Sequence, residues 1–93
     1  MYNKENETSR LNLKSIIEGQ DLSEGQASAL FHKGKNALWK YMARPDASSV
    51  RQIPDTMKVV IGIYMNIIQN NGWDGFIAYC KNNNIIPDDF EAL

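Results

Sequence analysis

The sequence predicts an all-α chain: a small bundle of about five helices with a helix-turn-helix at helices two and three. Apolar residues recur at three-to-four spacing, and Ser23 and Gln26 form a capping pattern. The length of 93 residues suits one compact domain, and 43% hydrophobic with 23% charged residues lies in the globular range.

Residues 1–8 lack periodicity and are expected to form a mobile arm ahead of a single helical domain over residues 9–93. The first helix is expected over residues 9–19, with Leu13, Ile16 and Ile17 on one face, Leu11 near them, and Gly19 as its stop. Ser23 opens the second helix, because its hydroxyl can accept an orphan backbone N–H while Gln26 reaches back to the cap. That helix runs to residue 32 or 33 with Ala27, Leu30 and Phe31 inward, and Gly34 is expected to supply the backbone freedom for the turn. The third helix covers residues 35–42 with Leu38, Tyr41 and Met42 inward. It ends before Pro45, since the residue preceding a proline is pushed out of helical geometry. Residues 44–54 are expected to be a loop.

Residues 57–68 predict the fourth helix. Met57, Ile61, Tyr64 and Ile68 make one stripe, which Val59, Val60, Ile63 and Ile67 widen beyond an ordinary amphipathic face, and Gln-Asn-Asn-Gly ends the segment. A buried strand is the alternative, because Val-Val-Ile-Gly-Ile-Tyr is rich in β-branched residues. A fifth helix is expected over residues 74–81 with Phe76, Ile77, Tyr79 and Cys80. Gly72 and Gly75 fit a turn around Trp73, and the apolar tail over residues 85–90 can dock.

Net charge is −1, so any electrostatic function must be local. Residues 1–58 carry net +2 and residues 59–93 net −3; within the first half, residues 33–51 hold Lys33, Lys35, Lys40, Arg44 and Arg51 against Asp46 alone. One Cys (Cys80) and one His (His32) exclude an intrachain disulfide and a zinc site of four Cys or two Cys with two His. No metal or cofactor is expected. Asp88, Asp89 and Glu91 lack the spacing of a metal loop, and a Cys80/His32 nucleophile pair has nothing around either residue to support it. The polar N-terminus and the short apolar stretch over residues 59–68 point to a cytoplasmic chain without membrane association.

Two short helices joined through a Gly-containing turn, the second one basic, form the layout of a helix-turn-helix. The segment over residues 27–42, followed by a loop, Ile53-Pro54 and another helix, resembles the small Cro and repressor proteins of phages and related bacterial regulators. The resemblance covers about half the chain. It sets Ala27, Phe31, Leu38 and Tyr41 at the family's apolar motif positions and Ser28 at the crowded small position. The sequence departs from the pattern at His32, where the family prefers Gly, at Lys33, which replaces an apolar turn residue, and at Glu24, where an uncharged residue often approaches a phosphate.

In that register the outward residues of the recognition helix are Lys35, Asn36, Trp39 and Lys40. Asn can bond adenine, Lys can reach guanine acceptors or a phosphate, and an exposed Trp can contact a thymine methyl. Lys33, Arg44 and Arg51 suit phosphates, and the helix-two start at Ser23 and Gln26 could present backbone N–H groups to one. The implied partner is double-stranded DNA, bound as a homodimer covering two half-sites. The surplus apolar surface of the C-terminal half, at Val60, Ile63, Tyr64, Ile67, Trp73 and Phe76, is the expected dimer interface. The alternative is a protein-interaction module, such as a phage-encoded inhibitor or adaptor, that binds a host protein through the same half.

Overall fold

The computed structural model describes residues 4–44, 46 and 51–93. Among them are four helices and no strand: α1 (Lys4–Ile17), α2 (Glu24–Phe31), α3 (Lys35–Met42) and α4 (Asp55–Asn82), closed by a 3-10 turn at Phe90–Ala92. The segment over residues 57–68 is helical, which removes the strand alternative. Helices four and five of the sequence reading are one element, bent at Gly72, whose φ of 75° and ψ of 171° interrupt the helical path. That conformation is open essentially to glycine alone.

Helix α1 begins at Lys4, five residues earlier than expected, and takes in residues 4–8 of the expected arm. Two buried polar side chains explain the extension. Asn6, fully buried, accepts the Ile53 backbone N–H at 2.7 Å through Oδ1. Arg10 donates to the Met42 carbonyl at 3.2 Å and pairs with Glu7. Together with Leu13 and Ile17 they form one helical stripe, and its first turns anchor the end of α3 and the strap that leads into α4.

Three helix ends, those of α1, α2 and α4, close on a left-handed residue, while α3 ends on extended Ala43. After α1, Leu22 N–H returns to the Ile17 carbonyl (2.9 Å) and Asp21 N–H to Glu18 (3.2 Å), with Asp21 left-handed at φ 51°. After α4, Ile85 N–H returns to Cys80 (2.8 Å) and Asn84 N–H to Lys81 (3.1 Å), with Asn84 at φ 59°. Both are Schellman closures. Helix α2 closes through a single bond from His32 N–H to the Ser28 carbonyl, with His32 at φ 55°. The positive φ expected of glycine therefore falls on Asp21, His32 and Asn84. Gly34 instead takes an ordinary extended φ of −68° as the N-cap of α3. Gly19 is required for a different reason: a Cβ there would collide with the Ser15 carbonyl.

One core gathers Leu13, Ile16 and Ile17 of α1, Leu30 and Phe31 of α2, Leu38 and Tyr41 of α3, and Met57, Ile61, Tyr64, Phe76 and Cys80 of α4, with Ile53, Ile86 and Phe90 from the connections. The Tyr64 ring bridges Phe31 (5.4 Å) and Phe76 (4.9 Å, edge-on), and its hydroxyl donates to the Leu30 carbonyl at 2.8 Å. Tyr64 and Phe76, expected at a dimer interface, are thus interior residues, 6% and 0% exposed, whose rings pack within the chain's own core. Truncating Phe76 to alanine in such a core costs about 3–5 kcal/mol. No helix among the described residues is long and apolar enough to cross a membrane.

Candidate nucleic-acid interface

Helices α2 and α3 are eight residues each and are joined by His32, Lys33 and Gly34. Three forces hold α3 in position. Its apolar face, Leu38, Tyr41 and Met42, is buried. Its C-terminal end is gripped by Arg10, which takes the Met42 carbonyl, and by the Arg51 backbone N–H, which donates to the Lys40 carbonyl at 3.3 Å. The α2–α3 link is tied across the molecule, because His32 Nε2 lies 2.8 Å from the Ile85 carbonyl oxygen. With the carbonyl as acceptor, Nε2 carries the hydrogen.

The opposite face of α3 is open. Lys35 and Asn36 are exposed, Trp39 is 45% exposed and Lys40 is half-buried. Asn36 makes no side-chain hydrogen bond to the described residues, so both its amide donor and its acceptor are available to a ligand. Lys35 sits at the first position of the helix, where the dipole disfavours a cation, and Glu24 offsets this from the start of α2, its carboxylate 3.1 Å from Lys35 Nζ. Glu24, Lys35, Asn36 and Trp39 line a shallow cleft of about 150 Å³. A hydrogen-bonding amide, a cation, a carboxylate and an aromatic ring are therefore presented side by side.

Lys33 is exposed in the link, and Arg44, exposed beyond the end of α3, stands 3.7 Å from Asp46. Arg51 is exposed, and its backbone bond to Lys40 brings it back to the end of α3. Pro45 and residues 47–50 of the expected loop lie outside the described residues.

Ser23 and Gln26 are engaged by their own chain. Ser23 Oγ accepts Gln26 N–H and Gln26 Oε1 accepts Ser23 N–H, both at 3.0 Å, which is the capping box the sequence announces. In addition Ser23 Oγ donates to the Leu93 carbonyl at 2.8 Å, and Gln26 Nε2 donates to the Phe90 carbonyl at 3.4 Å. Leu93 also packs over Gly25, where a Cβ would come within 3.3 Å of its backbone. The C-terminal turn thus lies against the start of α2, and Ser23 and Gln26 turn their backbone N–H groups to each other's side chains rather than presenting them outward. The sequence offered no signal for this contact beyond an apolar tail.

Of the expected interface residues in α4, Val60 and Ile67 are half-buried, Ile63 is 50% exposed, and Trp73 is half-buried with its ring 5.5 Å from Phe76. Val59, which sequence reasoning left out of that interface, is 60% exposed one turn before Ile63. Val59, Ile63 and Ile67, at four-residue spacing, make an apolar stripe on the outside of α4. Cys80 is fully buried, while His32 is exposed and turns its Nε2 to the Ile85 carbonyl. Burial pushes the Cys80 thiol up to about 11.

Comparison with known proteins gives no family model that matches the chain and no match among curated proteins or solved structures.

Proposed function

We propose that this chain is a sequence-specific double-stranded DNA-binding protein that acts as a small homodimeric transcriptional regulator, with α3 entering the major groove as the second helix of a helix-turn-helix. The observation that carries the proposal is the free face of α3. Trp39 keeps 45% of its surface in solvent beside an unengaged asparagine amide and a lysine, and these groups suit base edges. Lys33, Arg44 and Arg51 flank that helix and suit phosphates, which fix orientation without reading sequence. The resemblance to phage Cro and repressor proteins favours repression by occluding a promoter.

A single eight-residue helix reads few base pairs, so the proposal includes a dimer covering two half-sites about one DNA turn apart. The stripe of Val59, Val60, Ile63 and Ile67 suits a two-fold contact, because residues 59–73 contain no Asp, Glu, Lys or Arg and two copies meet there without like-charge repulsion. Trp73 is left to a different surface.

The test is fluorescence anisotropy on the DNA upstream of the protein's own gene against scrambled DNA, across a salt series. Specific binding whose log affinity falls with log salt by about 0.9 per phosphate neutralised supports the proposal. Weak binding, equal on both DNAs, overturns it and favours a protein partner.

A further inference from the structure

A second cleft, of about 540 Å³, opens between the α1–α2 connection, the second half of α4 and the C-terminal turn. Its buried lining is apolar: Phe90 is 2% and Ile77 8% exposed, with Leu22 half-buried beside them. Trp73 supplies an aromatic wall immediately after the Gly72 bend, the one break in the path of α4. The charged lining is unbalanced. Lys81 is neutralised within the cleft by both Glu91 oxygens, at 2.5 and 2.9 Å. Asp21 and Asp74, both exposed, make no ion pair with the described residues.

We infer that this cleft binds an arginine side chain of a partner peptide, with the residue next to that arginine lying against Leu22, Ile77 and Phe90. Charge complementarity selects the occupant. The cleft lies mainly in the half of the chain that carries net −3, so a nucleic acid is repelled, while a cation meets two unneutralised carboxylates. Arginine fits better than lysine. Its planar guanidinium stacks on an indole face and bonds carboxylates through a fixed fork of donors, and it sheds water more easily than an ammonium. The volume is that of a site taking a side chain and its neighbour. The site uses none of the α3 residues, so it stands or falls apart from DNA binding.

The experiment is a titration of the 15N-labelled full chain with acetyl-arginyl-leucine amide, followed by NMR at the Trp73 indole and the amides of residues 73–78. Acetyl-glutamyl-leucine amide serves as the control. Saturable shifts with the arginine probe, at a Kd on the order of 0.1–1 mM, are expected. The double variant Asp21→Asn, Asp74→Asn should weaken binding at least fivefold while leaving the spectrum folded, because both positions are exposed and Asn tolerates the left-handed backbone of Asp21. No shift with the arginine probe overturns the inference. So do equal shifts with the glutamyl probe, or binding untouched by the double variant, either of which would mean apolar adhesion alone.

Discussion

His32 and Ile85, 53 positions apart, are joined by a 2.8 Å contact from a ring nitrogen to a backbone carbonyl, and the histidine that makes it stands in left-handed backbone. The closing residue of α2 thus also fastens the α2–α3 link to the segment that follows α4. Two contributions can be separated by substitution. His32→Ala loses the tether, which is exposed, and keeps the unfavourable φ, so a destabilisation of about 0.5–1.5 kcal/mol is expected. His32→Gly loses the tether but relieves the backbone, so its cost should be smaller by about 1 kcal/mol. Urea unfolding of the two variants measures the difference, and equal costs would show that the backbone conformation carries no strain.

Asn6 gives a second test, at the opposite end of the same unit. Its Oδ1 is the acceptor for the Ile53 N–H in a fully buried site, so Asn6→Ala leaves that donor without its partner and should cost about 1–3 kcal/mol. Leu11→Ala, on the same helix but 51% exposed, should stay within about 0.5 kcal/mol of the parent. Chemical denaturation of both variants checks that α1 is structural from its first turns.

These two residues also show what the sequence could and could not reveal. Helix α3 matched the expected residues 35–42, and the capping box and inward faces of α2 and α3 were legible, because they rest on local patterns of apolar spacing and hydroxyl–amide pairing. The start of α1 was hidden because Asn6 and Arg10 occupy core positions while looking polar, so apolar periodicity skips them. Turn positions were misread because Gly19 and Gly34 drew attention away from Asp21, His32 and Asn84, residue types that also tolerate positive φ. Burial across the chain was the least visible feature. A stripe as wide as that over residues 57–68 does not say that Tyr64 turns inward to Leu30 while Ile63 faces out. The cover that Leu93 and Phe90 form over α2 depends on contacts 64 to 70 residues apart, which no local pattern encodes.

Alkaline pH should weaken the fold. Burial is the main cause raising the Tyr64 phenol from 10.0 to about 12, with Cys80 and Tyr79 adding to it, and burial raises the Cys80 thiol from 9.0 to about 11. Both groups hold their proton more tightly folded than unfolded. Their contribution is therefore complete below about pH 9 and is lost as pH rises toward 12, each group adding a slope of at most about 1.4 kcal/mol per pH unit. Stability measured from pH 8 to 11 should fall, and Cys80→Ala, whatever its baseline, should flatten the fall between pH 9 and 11. An unchanged slope would show that the thiol titrates alike in both states.

Substitutions on the outer stripe of α4 test the proposed assembly apart from folding. Ile63 is half exposed and its neighbour Tyr64 is interior, so Ile63→Lys and Tyr64→Lys should behave differently. Sedimentation equilibrium is expected to show a dimer for the parent chain and a monomer for Ile63→Lys at the same micromolar concentration, with helical circular dichroism retained. Tyr64→Lys buries an unpaired charge and should not fold. A parent chain that sediments as a monomer would remove the dimer from the proposal.

Substitutions on the open face of α3 test the proposed recognition apart from stability in the same way. Asn36 is exposed and Trp39 about half so, so Asn36→Ala should change unfolding free energy by no more than about 0.5 kcal/mol and Trp39→Ala by about 1–2 kcal/mol, below the cost of truncating an interior aromatic. If they meet base edges, each should cost about 1–3 kcal/mol in affinity for the specific site and little on scrambled DNA. Arg44→Ala and Arg51→Ala should lower affinity on both DNAs alike and each reduce the salt slope by about one, as loss of a phosphate contact does. Lys40, half-buried at the end of α3, is the intermediate case, and Lys40→Ala combined with Asn36→Ala should weaken specific binding more than Asn36→Ala alone. Normal binding by that double variant, with the fold intact, would mean that another surface reads the DNA.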